Sequence, residues 1–169
     1  MTKVVLVDEK DKVIGLEEKF KTHKIPVPLH RAISIVIFNN KKTHMLITKR
    51  SIKKPTWPEF WSNAVCSHPY PNESYEAAAK RRLMEEIGIK TPLKKVFQFT
   101  YKSEMKNKIW GEHEYDICFV GKFNGPLHPN PDEIAGFEWI AISDLKKDLR
   151  KNPSKYTPWF KIMLKKLKV

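Results

Sequence analysis

The chain has 169 residues, with nine Phe and five Trp to furnish a core, and its 32 basic and 19 acidic side chains give a formal charge of +13. Size and apolar content fit one folded domain spanning residues 1–169 and argue against disorder or a second domain. The charge suits an anionic partner, whether nucleic acid, an anionic membrane surface or a phosphorylated small molecule, and a solvated lysine-rich surface accounts for much of it without any partner.

In chain order, residues 1–12 lack the basic-then-apolar pattern of an export signal, which makes the cytoplasm the expected compartment. Lys3 to Asp8 reads as a short strand, Asp8 to Lys12 as a turn, and Val13 to Leu16 as a second strand or a continuation of the first. Leu29 to Phe38 is a β-branched strand, Asn39 to Lys42 a turn, and His44 to Lys49 the returning partner of a hairpin. The apolar run Ile33–Phe38 is far too short to enter a membrane as a span, so no membrane insertion is expected. Pro55 to Pro71 is punctuated by proline and reads as loop. A helix starts at Asn72 or Ser74 and ends at Gly88, with Ala79, Leu83 and Ile87 as its buried stripe. Val96–Tyr101 is a strand, Lys102–Lys108 a polar connection, and Trp110–Phe123 a long strand. Phe137–Ile140 is a further strand, Ser143 caps a short helix, and Pro158–Lys168 forms a last amphipathic helix. Mixed strands with a few helices predict an α/β (α+β) layered domain with no internal repeat.

Side chains alternate along a strand, so Glu112 and Glu114 share one face and repel each other unless a cation or proton lies between them. Taken alone, that segment resembles a solvated edge strand of mixed charge. Three histidines change the balance: His23 and His30 lie seven apart around prolines, and His68 stands two residues from Cys66. Three imidazoles and two carboxylates would fill five positions of an octahedral metal site, suited to manganese, zinc or iron and less to magnesium. Two cysteines are too few for a secreted disulfide scaffold. Cys66 becomes a usable acid or base beside a histidine, metal or lysine, whereas Cys118 lies in an apolar strand and belongs to the core. Arg50 and Lys54 follow a strand and could clamp a diphosphate. Arg82 and Glu86 are one helical turn apart, and the acidic pair Glu85–Glu86 at a helix C-terminus is an anomaly that a bound cation would resolve. No recognisable nucleic-acid module accompanies the lysines, so no nucleic-acid partner is expected.

Together these segments resemble the type I isopentenyl-diphosphate delta-isomerase family of the Nudix superfamily. The likeness rests on residues 56–69 around Cys66, Trp110–Glu114, His23–His30 and Tyr156–Phe160. An altered Nudix box follows, with Glu73, Arg81, Leu83, Glu85, Glu86, Gly88 and Ile89 in place. Ser67 replaces its leading glycine and Arg82 replaces a catalytic glutamate, which argues against hydrolysis. The resemblance implies a Nudix-like fold and metal-dependent interconversion of isopentenyl and dimethylallyl diphosphate in isoprenoid biosynthesis. It further implies a divalent metal (Mn²⁺, Zn²⁺ or Mg²⁺) on His23, His30, His68, Glu112 and Glu114, and a Mg²⁺ bridging Glu86 and the substrate diphosphate. Arg50, Lys54 and Arg82 would contact phosphate, Cys66 and Glu114 would exchange protons with the alkene, Tyr101 would sit near the carboxylate, and Trp159 would face the developing cation. The partner is then a small allylic or homoallylic diphosphate, and the protein a monomer or weak homodimer. The competing reading is a Nudix hydrolase of a nucleoside or other diphosphate.

Overall fold

A computed structural model describes residues 2–169. Its organising element is β3 (His30–Phe38), which pairs with four other strands. Ile33, Ile35 and Ile37 point to one face and Val36 and Phe38 to the other, and all are buried. A strand covered on both sides must be apolar at every step, which explains the unbroken β-branched run. β8 (Gly111–Lys122) lies parallel to β3, from His30 opposite Glu114 to Phe38 opposite Lys122, and its other edge pairs antiparallel with β7 (Leu93–Glu104). The strand of paired glutamates is therefore internal and not the solvated edge that its charge alone implies.

The hairpin of β3 with β4 (His44–Arg50) forms where expected, with Asn39 accepting hydrogen bonds from the backbone of Thr43 and His44. It holds for only two rungs, Ile37–Leu46 and Phe38–Met45, and then splays. β4 departs to pair with β9 (Ile134–Ala141), and the gap is closed by the segment expected to be loop. Within that segment β5 (Trp61–Ser62) pairs with β4, and β6 (Val65–Ser67) pairs with β3. These strands are two and three residues long, too short for a periodic signal. At the amino end, β1 (Lys3–Val7) and β2 (Val13–Glu18) form the expected hairpin, which continues into a one-turn helix α1 (Lys19–Thr22) that sequence patterning missed.

Helix α2 (Tyr75–Ile87) starts at Ser74, whose hydroxyl accepts from Ala77 N, and packs Ala78, Ala79, Leu83 and Ile87 on one face of the sheet. Helix α3 (Ile142–Lys151) and helix α4 (Pro158–Leu167), joined through a 3-10 turn, cover the other face with Leu145, Tyr156, Trp159, Phe160 and Met163. Ser143 does not cap α3. The chain passes straight from β9 into the helix, and Ile142 N donates to Thr43 O at 3.0 Å, which satisfies a first-turn donor without a side chain. Mixed strands between helices give the α/β architecture expected from the element pattern, and no helix among the described residues is long and apolar enough to cross a membrane.

Gly88 ends α2 at φ 74°, and a Cβ there would lie 2.7 Å from His128 Cβ and 2.9 Å from His128 O. Left-handed backbone costs a side-chain-bearing residue roughly 1–2 kcal/mol before any clash. Gly88→Ala is expected to lower unfolding free energy by at least that much, read as a shift in urea midpoint at unchanged m-value.

Candidate metal centre and catalytic cavity

Along β8 the even-numbered side chains Glu112, Glu114, Asp116 and Cys118 face the side covered by α4. Three acids on one buried face, at 4%, 7% and 0% exposure, create a field that the protein must neutralise. Burial, then Glu112 and Asp116, drive Glu114 well above the ordinary carboxylate range. Burial pushes Asp116 up to about 7, although Ser34 Oγ donates to its Oδ2 at 2.7 Å. Against the cost of burial, His23 holds Glu112 down to about 2, and the same contact, 3.1 Å from His23 Nε2 to Glu112 Oε2, outweighs burial to raise His23.

His30 enters from the start of β3, His23 from the end of α1, and His68 from just beyond β6. Their ring centres are 5.0, 5.0 and 5.2 Å apart. One ligand atom from each, with one oxygen each from Glu112 and Glu114, lie mutually within 4.8 Å. The residues expected to hold a metal are thus gathered from four segments. His23 Nδ1 lies 2.6 Å from Lys19 O and His30 Nδ1 2.9 Å from Pro28 O. Each Nδ1 must carry hydrogen to satisfy its carbonyl, which leaves Nε2 of His30 with a free lone pair and that of His23 with one once the proton favoured by Glu112 is displaced. Burial, then His23, lower His30 to about 4, and burial with both other histidines holds His68 well below its ordinary value. His68 Nε2 lies 3.1 Å from Glu114 Oε1, a contact in which burial disfavours the charged form of both groups. Among the described residues, His30 Nε2 is buried with no hydrogen-bond partner and Glu112 Oε2 has only its ionic contact with His23, a cost that a cation would remove. Imidazoles and carboxylates gathered around one point fit a divalent metal.

Glu114 also lines a cavity of about 190 Å³ with Cys66, Tyr101 and Trp159. Tyr101 Oη donates to Glu114 Oε2 at 2.6 Å, so the two carboxylate oxygens face different ways, one to the histidines and one to the aromatic wall. Cys66 is paired with Ser34 of β3, and burial, followed by Asp116, pushes its thiol up to about 12. Trp159 Nε1 donates to Cys66 Sγ at 2.9 Å, and its ring packs against Trp57 and Tyr101. The guanidinium of Arg50 lies 5.2 Å from the Trp159 ring centre and donates to the carbonyls of Thr56 and Trp57, bracing the cavity wall as well as lining it.

Glu86 stands apart from the histidine cage. It accepts from Arg82 at 2.7 Å and lies 3.8 Å from Lys54. Glu133, which sequence patterning did not single out, joins the same cluster through Arg82 at 2.7 Å and Lys54 at 2.5 Å. Lys19 also lines the cavity, its ammonium disfavoured by burial and by the neighbouring Lys54 and Arg82. Arg82 also takes up Glu85, so arginines relieve part of the acidic anomaly at the end of α2. Asp116 is the largest omission. It continues the Glu112–Glu114 alternation by one step, and that periodicity was its available signal.

The model of the NUDIX domain matches residues 28–160. "Isopentenyl-diphosphate Delta-isomerase 1" of Aromatoleum aromaticum is 42% identical over 92% of the chain and 86% of its own length. The second isomerase so named from Photorhabdus laumondii is 40% identical over 94% and 88%. Among solved structures, the DR0079 protein of Deinococcus radiodurans superposes with TM-score 0.72 at 19% identity, covering 89% of this chain and 90% of that one. The MutT protein of Methanosarcina mazei does so with TM-score 0.58 at 22% identity, covering 72% and 81%. These two likenesses establish the fold.

His23 and Glu114 both hold protons to higher pH than their free side chains do, and a cation must displace them. Titrating Mn²⁺ into chelator-stripped protein near neutral pH is therefore expected to release protons, with affinity rising as pH rises. Calorimetry in buffers of different ionisation heat measures that release, and an equal heat in every buffer would contradict it.

Proposed function

Since the chain belongs to the NUDIX family, in its isopentenyl-diphosphate delta-isomerase branch, we propose that the cage and cavity divide one allylic proton transfer between them. The enzyme interconverts isopentenyl diphosphate and dimethylallyl diphosphate. The carrying observation is that Glu114 belongs to both parts, with one oxygen in the histidine cage and its carboxyl lining the cavity that holds Cys66.

In this reading His23, His30, His68, Glu112 and Glu114 would hold Mn²⁺, Zn²⁺ or Mg²⁺, and Glu86 would hold a Mg²⁺ brought with the diphosphate. The caged cation supplies positive charge that fixes the protonation state of Glu114. Cys66 and Glu114 lie on either side of the hydrocarbon. One gives a proton to the terminal methylene carbon, charge develops at the methyl-bearing carbon, and the other removes a proton from the carbon next toward the phosphate. The double bond moves by one position and no atom is lost. In the reverse direction the two groups exchange roles.

An alkene is a weak base, so the acid must be held in place and water kept out. Trp159, backed by Trp57, and Tyr101 wall the hydrocarbon end, and an indole face stabilises a desolvated cation by up to about 2 kcal/mol. Lys54, Arg82 and Arg50 take the phosphate end. The cavity falls below the roughly 300–1,000 Å³ of drug-sized sites, which favours a five-carbon substrate over a nucleoside. Hydrolysis would want a carboxylate where Arg82 stands, already paired with Glu86 and Glu133.

Proton NMR of isopentenyl diphosphate with enzyme and Mg²⁺ in heavy water is expected to show the dimethylallyl isomer and deuterium in the chain. Cys66→Ala and Glu114→Gln are each expected to abolish turnover, by a factor of roughly 10³ or more, in protein that still folds. Ordinary turnover by either variant removes that residue from the chemistry, and phosphate release without isomerisation would restore the hydrolase.

A further inference from the structure

Asn63 lies in the two-residue step between β5 and β6, 1% exposed, and the roles above leave it without a task. Its amide nitrogen donates to Ile35 O at 3.1 Å and to Val65 O at 2.7 Å. Both amide hydrogens are thereby committed, so the nitrogen and oxygen cannot be exchanged without facing a carbonyl with an acceptor. The carbonyl oxygen is left aimed at Cys66 Sγ, 2.9 Å away. Ser62 Oγ donates to the same oxygen at 2.9 Å and is backed by Thr157 Oγ1 at 2.9 Å.

An amide oxygen only accepts, so the hydrogen in this contact is the one on sulfur. The other close partner of Sγ, Trp159 Nε1, is a donor only. Ser34 Oγ and Ser62 Oγ stand farther off, at 3.7 and 3.8 Å. The sulfur is thus held between one acceptor and one donor on different elements, which gives its S–H bond a resting direction.

We propose that Asn63 is a positioning residue of the isomerase, whose carbonyl oxygen sets the direction of the Cys66 S–H bond and holds the sulfur at the cavity wall. The proposal rests on the catalytic reading of Cys66 given above. When Cys66 is the acid, the S–H bond swings from Asn63 toward the alkene carbon and breaks as the C–H bond forms. Its electron pair stays on sulfur, where the indole N–H of Trp159 meets it, and Glu114 takes up the proton lost from substrate. When Cys66 is the base, the proton it gains returns to Asn63. Asn63 touches no substrate atom in either direction.

The test joins infrared spectroscopy of the thiols with steady-state kinetics on the metal-loaded enzyme. Cys66→Ala identifies the Cys66 S–H stretch by its disappearance and leaves that of Cys118, whose only partner is a 3.9 Å contact to Phe119 O. Asn63→Ala is expected to move the Cys66 band to higher frequency. It should lower kcat at least tenfold with KM for isopentenyl diphosphate within about twofold, the loss of roughly 1.4 kcal/mol in the chemical step alone. Asn63→Asp, of nearly the same shape, tests the site if the alanine variant does not fold. It is expected to lower kcat while keeping the band at low frequency, because the acceptor remains and the charge is new. An unmoved band in folded Asn63→Ala overturns the proposal, as does a rise in KM at unchanged kcat, or failure of both variants to fold. A shifted band with full activity in Cys66→Ala would instead overturn the catalytic reading and leave the contact intact.

Discussion

Three acids on one face of an internal strand are the constraint from which the rest of the site follows. Glu112, Glu114 and Asp116 have no exposed neighbour to drain their charge, and side-chain alternation on β8 prevents any of them from turning away. Charge in such a place must be paired, protonated or coordinated. The fold uses all three answers. His23 pairs with Glu112, burial favours the protonated form of Glu114 and Asp116, and three imidazoles offer lone pairs around the point where a cation would meet Glu112 and Glu114. An arrangement so costly to build is hard to explain as packing, because an apolar strand in the same position would fold more easily.

The second half of the site comes from a defect in a hairpin. β3 and β4 part after two rungs because each has another partner to satisfy, β8 and β6 for one, β9 and β5 for the other. The opening has to be bridged by a short segment with its own backbone bonds, and Trp61–Ser67 is that bridge. Cys66 is on it, which is why the thiol lies on the same sheet face as the β8 acids. Asn63 ties the bridge to β3, and Thr48 Oγ1 ties it to β4 by donating to Asn63 O at 2.9 Å. One segment therefore closes the sheet and presents the sulfur.

That division explains what could be read in the sequence. β3 and α2 were legible because periodicity and caps are local, and Ser74 and Gly88 perform the tasks their chemistry predicts. The group His23, His30, His68, Glu112 and Glu114 could be proposed from residue type and strand alternation, but spacing is a weak signal between distant segments and family likeness was needed to assign it. β5 and β6 were hidden because proline suppressed the expectation of strand, and two residues show no alternation. The edge placement of β8 failed for a related reason. Charged residues look solvated until the parallel pairing with β3, a contact across about eighty residues, is known. Glu133 and Lys19 joined the site from segments with no motif of their own.

The same arrangement gives the cavity a polarity. Its lining joins Glu112, Glu114, Tyr101 and Trp159 to Lys19, Lys54 and Glu133, and Arg82 and Glu86 belong to the ion-pair cluster of Lys54 and Glu133. Lys54 and Arg82 are held by Glu86 and Glu133, so in the proposed reading an entering diphosphate would meet donors already held in position by protein acids. Those donors need not be gathered when the substrate arrives, and the entropy of fixing lysine and arginine side chains is spent in folding. In the proposed reading, a diphosphate anchored there would point its hydrocarbon toward Cys66 and Glu114, which line the same cavity. The overall charge of +13 would add attraction at long range, and the placement of Lys54 and Arg82 would set which end of the substrate enters first.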